Sequence, residues 1–87
     1  MTGRELRAER LAVRVQGQEI AAHFGRHPAA ISRTEQLDAV DQRTVDRYRE
    51  AIVAILQARE AARIAELAEL ARGQVQAWSE VLLEVEA

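Results

Sequence analysis

Residues 17–36 read GQEIAAHFGRHPAAISRTEQ and contain two short helical patterns joined by a sharp turn. Gly25 ends the first pattern, because glycine adopts the positive φ that closes many helices. Pro28 suits the first position of the second helix. The small Ala21 lets that second helix cross closely, and Ile31 packs against the pair from the other side. The stretch therefore predicts two closely packed helices, over 18–24 and 28–36. Their inward residues are predicted to be Ile20, Ala21, Phe24, Ala30, Ile31 and Thr34.

Another helix is predicted before this pair. Thr2 and Glu5 have the sequence of a capping box, so the helix begins at Gly3 and runs to Arg14. Its apolar side is predicted to consist of Leu6, Leu11, Ala12 and Val13. Four arginines recur at three- and four-residue steps and share one face, which we expect to be solvated. They are Arg4, Arg7, Arg10 and Arg14.

A fourth helix is predicted to start after Asp41, which is a good N-cap residue. No Pro or Gly interrupts the pattern over 42–72, and Gly73 is then expected to kink the helix or turn it back. We interpret Tyr48, with Arg47 and Arg49, as packing and solvent positions of this helix. Its apolar stripe is predicted from Val45, Tyr48, Ile52, Ile55 and Leu56.

Apolar residues in the C-terminal third recur in near-heptad register. We predict that they form a dimerisation surface, although packing back on the fourth helix and binding of a different protein remain alternatives. Gln74 interrupts the pattern. The predicted dimerisation residues are Ile64, Leu67, Leu70, Ala71, Trp78, Val81, Leu82 and Val85.

The composition indicates an all-α fold of one domain. The 87 residues are 48% hydrophobic but only 3% aromatic, which favours helices over strands. With no Cys, disulfides and thiolate metal sites are excluded. His23 and His27 lie four residues apart, but His27 precedes Pro28 and no carboxylate has a matching spacing, so no metal or cofactor is expected.

Other function classes are disfavoured by what the sequence lacks. There is no Gly-rich phosphate loop and no convincing acid–base cluster, so an enzyme is not expected. No apolar run approaches the roughly 20 residues that span a bilayer, and the N-terminal MTGRELRAER has no secretion-signal core. We expect a cytoplasmic protein with no membrane partner.

The charge is distributed unevenly along the chain. Residues 1–49 contain nine Arg and seven acidic residues, whereas residues 50–87 contain three Arg and seven Glu. A basic first half followed by an acidic second half predicts an anion-binding module with a separate extension.

The segments GRELRAERL, EIAAHFG and AISRTEQ together resemble the helix-turn-helix domains of the Cro/repressor (Xre-like) family, which includes phage and prophage proteins. The resemblance covers about residues 3–56. It implies a four-helix DNA-binding domain over 1–56, in which helix 28–36 enters the major groove. Residues 57–87 would then be a long helical extension for dimerisation or partner binding.

The resemblance also implies individual contacts with double-stranded DNA. Base contacts fall on Ala29, Ser32, Arg33 and Gln36, and backbone contacts fall on Gln16, Gly17, Gln18, Arg26 and His27. Gly17, Arg26 and Pro28 depart from the family pattern, so Arg26 and His27 are predicted to reach phosphates from the turn. The expected function is a small dimeric repressor. The alternative is an antitoxin-like or adaptor protein whose acidic, apolar C-terminal helix binds another protein.

Overall fold

A computed structural model describes residues 1–86, and this part of the chain is helical with no strand. Its elements are α1 (Gly3–Ala12), α2 (Gly17–Phe24), α3 (Pro28–Glu35) and α4 (Gln42–Glu86). The predicted all-α fold of four helices, the last one long, is confirmed. The chain divides into two compact units, Met1–Gln57 and the part that begins at Ala58.

Local capping signals set where α1 and α4 begin. The backbone N–H of Glu5 donates to Oγ1 of Thr2 at 3.1 Å, and the N–H of Thr2 donates to Oε1 of Glu5 at 3.3 Å. At the start of α4, the N–H of Thr44 donates to Oδ1 of Asp41 at 2.7 Å. These bonds satisfy amide groups that have no partner inside the helix, so both predicted N-caps are confirmed.

The end of α1 differs from the prediction. The helix stops at Ala12, and Arg14 adopts the left-handed conformation with φ 58°. The N–H of Arg14 donates to Leu11 O and that of Val15 donates to Arg10 O, both at 3.1 Å. This is the Schellman pattern, which usually has glycine at the left-handed position. The turn carries Val15 into the core, where it is fully buried.

The predicted apolar side of α1 is therefore only partly correct. Leu6 is fully buried, but Leu11 and Val13 are 47% and 38% exposed, and Ala12 is also exposed. The next inward position after Leu6 is that of Arg10, one turn later. Leu11, Ala12 and Val13 thus lie on the outer side of the helix end.

The hydrophobic core lies entirely within Met1–Gln57 and draws on every helix. Its buried members are Leu6, Val15, Ile20, Ala21, Ile31, Val40, Val45, Tyr48, Ala51 and Ile52. Phe24, Ile55 and Leu56 are partly buried against them. Val15, Val40 and Ala51 were not predicted.

The first turn of α1 packs tightly against the end of α3. The N–H of Gly3 donates to Leu37 O at 2.9 Å. A Cβ atom on Gly3 would lie 2.5 Å from both Thr34 O and Glu35 C, which are backbone atoms. Only glycine permits this approach, which fixes the N-terminus against α3.

The predicted return of the chain at Gly73 is wrong, because α4 remains helical from Gln42 to Glu86. Glycine costs about 1 kcal/mol relative to alanine inside a helix. Strong helix formers surround Gly73 on both sides, and this single penalty does not end the helix.

Candidate nucleic-acid interface

A three-residue turn joins α2 to α3. Gly25 ends α2 in the left-handed conformation with φ 65°. The N–H of Gly25 donates to Ala22 O at 3.1 Å, and the N–H of Arg26 donates to Ala21 O at 2.8 Å. The predicted role of Gly25 as the residue that closes α2 is confirmed.

His27 caps the start of α3, with Pro28 at the first helical position. Its Nδ1 accepts a hydrogen bond from the N–H of Ala29 at 3.1 Å. A neutral imidazole whose Nδ1 accepts carries its hydrogen on Nε2, so Nε2 can donate to an anion outside the domain. The side chain of His27 is exposed.

The helix α3 has one buried and one exposed face. Ile31 is 5% exposed, and Ala30 and Thr34 beside it are half-buried. The four predicted base-contact residues are all exposed: Ala29, Ser32, Arg33 and Gln36. At 100° per residue they occupy an arc of about 100° on the side opposite Ile31. The structure therefore brings these four side chains together on one accessible surface, which we call the α3 face.

The only carboxylate of α3 points away from this face. Glu35 accepts two hydrogen bonds from the guanidinium of Arg10, from Nε at 2.9 Å and from Nη2 at 2.8 Å. The hydroxyl of Tyr48 also donates to Glu35, and Nη1 of Arg10 donates to Val15 O at 2.9 Å. These residues form a buried cluster that ties α1, α3 and α4 together, and we call it the Arg10–Glu35–Tyr48 cluster.

Arg10 was predicted to lie on a solvated arginine face, and this prediction is wrong. Its side chain is 8% exposed and that of Glu35 is 7% exposed. Arg10 takes an inward position because its charge is neutralised by Glu35, 25 residues away in sequence. Arg4, Arg7 and Arg14 are exposed, as expected.

The cluster shifts the ionisation of all three groups. Burial by itself raises the pKa of Glu35, but the hydrogen bonds from Arg10 and Tyr48 outweigh it, and the pKa lies below its ordinary value. Burial and the bond to Glu35 raise the pKa of the Tyr48 hydroxyl. The bond to Glu35 raises the pKa of Arg10 further. At neutral pH the cluster therefore holds a charged Arg–Glu pair with a neutral tyrosine.

The residues predicted to contact the DNA backbone lie at the start of α2 and in the turn. Gln16, Gln18 and Arg26 are exposed, and Gly17 is half-buried. The backbone N–H of Gln16 is already bonded to Oε2 of Glu19 at 2.7 Å, so Gln16 can use only its side chain. The first N–H groups of a helix point outward and favour anions.

Arg47 is a further cation near this turn, and the sequence predicted it only as a solvent-exposed position of the fourth helix. The guanidinium of Arg47 lies 5.4 Å from the ring centroid of Phe24, a cation–π contact between α4 and α2. Arg26 and Arg47 line an open cleft of about 200 Å³ together with Thr34 and Thr44. Arg43 and Arg47 are four residues apart and therefore lie on one side of the helix. This spacing was the sequence signal that could have indicated a cationic position here.

The residues predicted for dimerisation lie on α4 and carry exposed apolar surface. Exposure of the large side chains ranges from 39% at Leu82 to 78% at Val85. Trp78 is 63% exposed. The members are Ile64, Leu67, Leu70, Ala71, Trp78, Val81, Leu82 and Val85.

Comparison with family models, with curated proteins and with solved structures returned no match. Within residues 1–86, no three His, Cys, Asp or Glu side chains come together as a possible metal site. None of the helices in this part has an apolar stretch with the length and hydropathy needed to span a bilayer.

Proposed function

We propose that residues 1–57 bind double-stranded DNA with α3 in the major groove, and that the chain acts as a small dimeric transcriptional repressor of the Cro/repressor type. The observation that carries this proposal is the α3 face. It presents Ser32, Arg33 and Gln36, which are hydrogen-bonding side chains, together with the small Ala29.

The chemistry of the α3 face suits base edges. An arginine such as Arg33 can donate both hydrogen bonds that guanine accepts in the major groove, and Ala29 can contact a thymine methyl group. Ser32 and Gln36 supply further donors and acceptors. Because Glu35 is held inside by Arg10, the α3 face carries no carboxylate that would repel phosphates.

Groups around the α3 face can hold the phosphate backbone. Arg26 and Nε2 of His27 flank the start of α3, and Gln16 and Gln18 flank the start of α2. Contacts of this kind fix the orientation of a protein on DNA without reading its sequence. Arg47 adds a positive charge beside Arg26 across the cleft.

Repression in this scheme needs no catalysis, because a protein bound at a promoter excludes other proteins. Two copies joined through α4 would read two half-sites related by a two-fold axis.

The test is selection of bound sequences from random duplex DNA with the full chain, followed by fluorescence anisotropy across a salt series. We expect an enriched inverted repeat and an affinity that falls steeply as salt rises. Absence of any enriched sequence, with no binding at low salt, would refute the proposal.

The variant Arg33→Ala tests the assignment of α3 directly. We expect it to cost about 1–3 kcal/mol on the selected site and to relax the preference at one base pair. Arg72→Ala is the charge-matched control, because Arg72 lies outside residues 1–57 and pairs with Glu69. An equal loss on all DNA sequences would mean that Arg33 contacts phosphate and that α3 is oriented differently.

The exposed apolar surface of α4 supports a second candidate, an antitoxin-like or adaptor protein whose C-terminal helix binds another protein. Deletion of residues 58–87 distinguishes the two, because the core lies entirely within Met1–Gln57. For a repressor, the deletion weakens DNA binding by removing the dimer contacts. For an adaptor, it abolishes partner binding instead.

A further inference from the structure

Most of the large exposed apolar residues of α4 beyond Ala58 lie on one side of the helix. At 100° per residue, eight of the nine large apolar side chains from Ile64 to Val85 fall within an arc of about 140°, and Leu83 is the exception. The centre of this arc has heptad spacing, and we call it the apolar stripe: Ile64, Leu67, Ala71, Trp78, Val81 and Val85. The arc is broad enough to pack against a second helix, and Gln74 is the polar residue that interrupts it.

Charge is distributed unevenly along this part of α4. Residues 58–72 contain three Arg and three Glu, whereas residues 73–86 contain three Glu and no cation. The acidic residues of the second segment are Glu80, Glu84 and Glu86. Two copies in parallel would place these carboxylates side by side, which is repulsive. Two antiparallel copies would place residues 73–86 of each copy beside residues 58–72 of the other. Residues 58–72 contain all three arginines of this part of α4.

One antiparallel register brings four large apolar side chains and one pair of opposite charges together. If the two-fold axis passes between residues 72 and 73, Ile64 faces Val81 of the other copy and Leu67 faces Trp78. The neighbouring layers of this register are mixed, since Ala71 faces Gln74 and Val85 faces Glu60. The same register brings Arg63 near Glu84 of the other copy, displaced by two residues from direct opposition. Both are g positions of the heptad, which flank the apolar contact and set helix orientation in coiled coils. Because the axis is two-fold, this ion pair occurs twice. In a parallel pair, by contrast, the residue that faces Arg63 across the interface is Ala68.

We propose that the partner of the apolar stripe is a second copy of this chain, packed antiparallel in this register. The inference rests on the homodimer in the proposed function and does not depend on DNA binding. It assigns Arg63 and Glu84 as the residues that set the orientation, and Leu67 and Trp78 as the main apolar contact.

The absence of Cys from the chain makes orientation measurable by disulfide formation. The single variants Ile64→Cys and Val81→Cys are oxidised separately and as an equimolar mixture. Opposed positions in paired helices come within disulfide reach, whereas positions far apart along the axis do not. The antiparallel register predicts a disulfide-linked dimer only in the mixture. A parallel pair would give linked dimers in each variant alone, and this result would overturn the inference.

Charge reversal tests the register independently. We expect Arg63→Glu, and separately Glu84→Arg, to raise the dimer dissociation constant by about tenfold, because each creates two like-charge contacts. The double variant Arg63→Glu/Glu84→Arg should restore it to within about twofold. Failure of the double variant to recover would exclude the Arg63–Glu84 contact.

Sedimentation equilibrium of the full chain separates the remaining outcomes. A monomer at all accessible concentrations would overturn the inference, even if the chain binds the selected DNA. A dimer with the expected cross-links but no DNA binding would support the inference and refute the proposed function. Binding of the apolar stripe to a different protein, with no self-association of the chain, would also overturn the inference.

Discussion

Replacement of Glu35 by alanine should strongly destabilise the domain over residues 1–57. The change leaves the guanidinium of Arg10 only 8% exposed and without its carboxylate, and it removes the acceptor for the hydroxyl of Tyr48. Breaking a buried ion pair by removing one partner costs about 3–5 kcal/mol. We expect the lower end, about 3 kcal/mol, because Arg10 keeps its bond to Val15 O. For a domain of this size that corresponds to a decrease in Tm of about 12–24 °C.

The assay is urea unfolding followed by the amide NMR signals of residues 1–57, which separates this unit from the rest of α4. Glu9→Ala is the matched control. It also removes a two-point bond to an arginine, with Arg49 at 2.7 and 3.1 Å. The Glu9 and Arg49 side chains are 36% and 47% exposed, so water replaces the lost partner and the effect should be small. An equal loss of stability in both variants would refute the argument that burial makes the Arg10–Glu35–Tyr48 cluster important.

The same cluster predicts a pH dependence. Burial raises the pKa of Glu35, but bonding to Arg10 and Tyr48 lowers it more, so the folded pKa lies below the ordinary value of 4.5. A depressed carboxyl pKa contributes stability that is present above the unfolded pKa and lost as pH falls through the folded pKa. The stability difference between wild type and Glu35→Gln should therefore shrink on acidification below about pH 4.5. A difference that stays constant down to acid unfolding would contradict the assignment.

Three glycine variants should behave differently: Gly3 and Gly25 are measured by the same urea assay, and Gly73 by far-UV circular dichroism of the full chain. Gly3→Ala should cost about 1–3 kcal/mol, because its Cβ would lie 2.5 Å from backbone atoms of α3. Gly25→Ala should cost about 1–2 kcal/mol through its φ of 65°. Gly73→Ala should stabilise α4 by about 1 kcal/mol, since no atom lies within 4 Å of the added Cβ. A stabilising Gly3→Ala or a destabilising Gly73→Ala would show that the described packing is wrong at that residue.

Features that depend on neighbouring residues could be predicted from the sequence. The caps at Thr2 and Asp41, and the helix end at Gly25, each use hydrogen bonds that span five residues or fewer. Such bonds follow from local residue type. The exposed α3 face was predictable for a similar reason, because Ile31 fixes the inward side of an eight-residue helix and the spacing assigns the rest.

The roles of residues whose partners are distant in sequence could be read only from the folded structure. Arg10 looked like one member of a solvated row of arginines, yet it is buried because Glu35 and Tyr48, on two other helices, surround its charge. Arg14 takes a left-handed conformation that usually belongs to glycine, and it thereby places Val15 in the core. A charge is buried, or a strained turn kept, when packing elsewhere offsets the cost, and local sequence does not encode that balance.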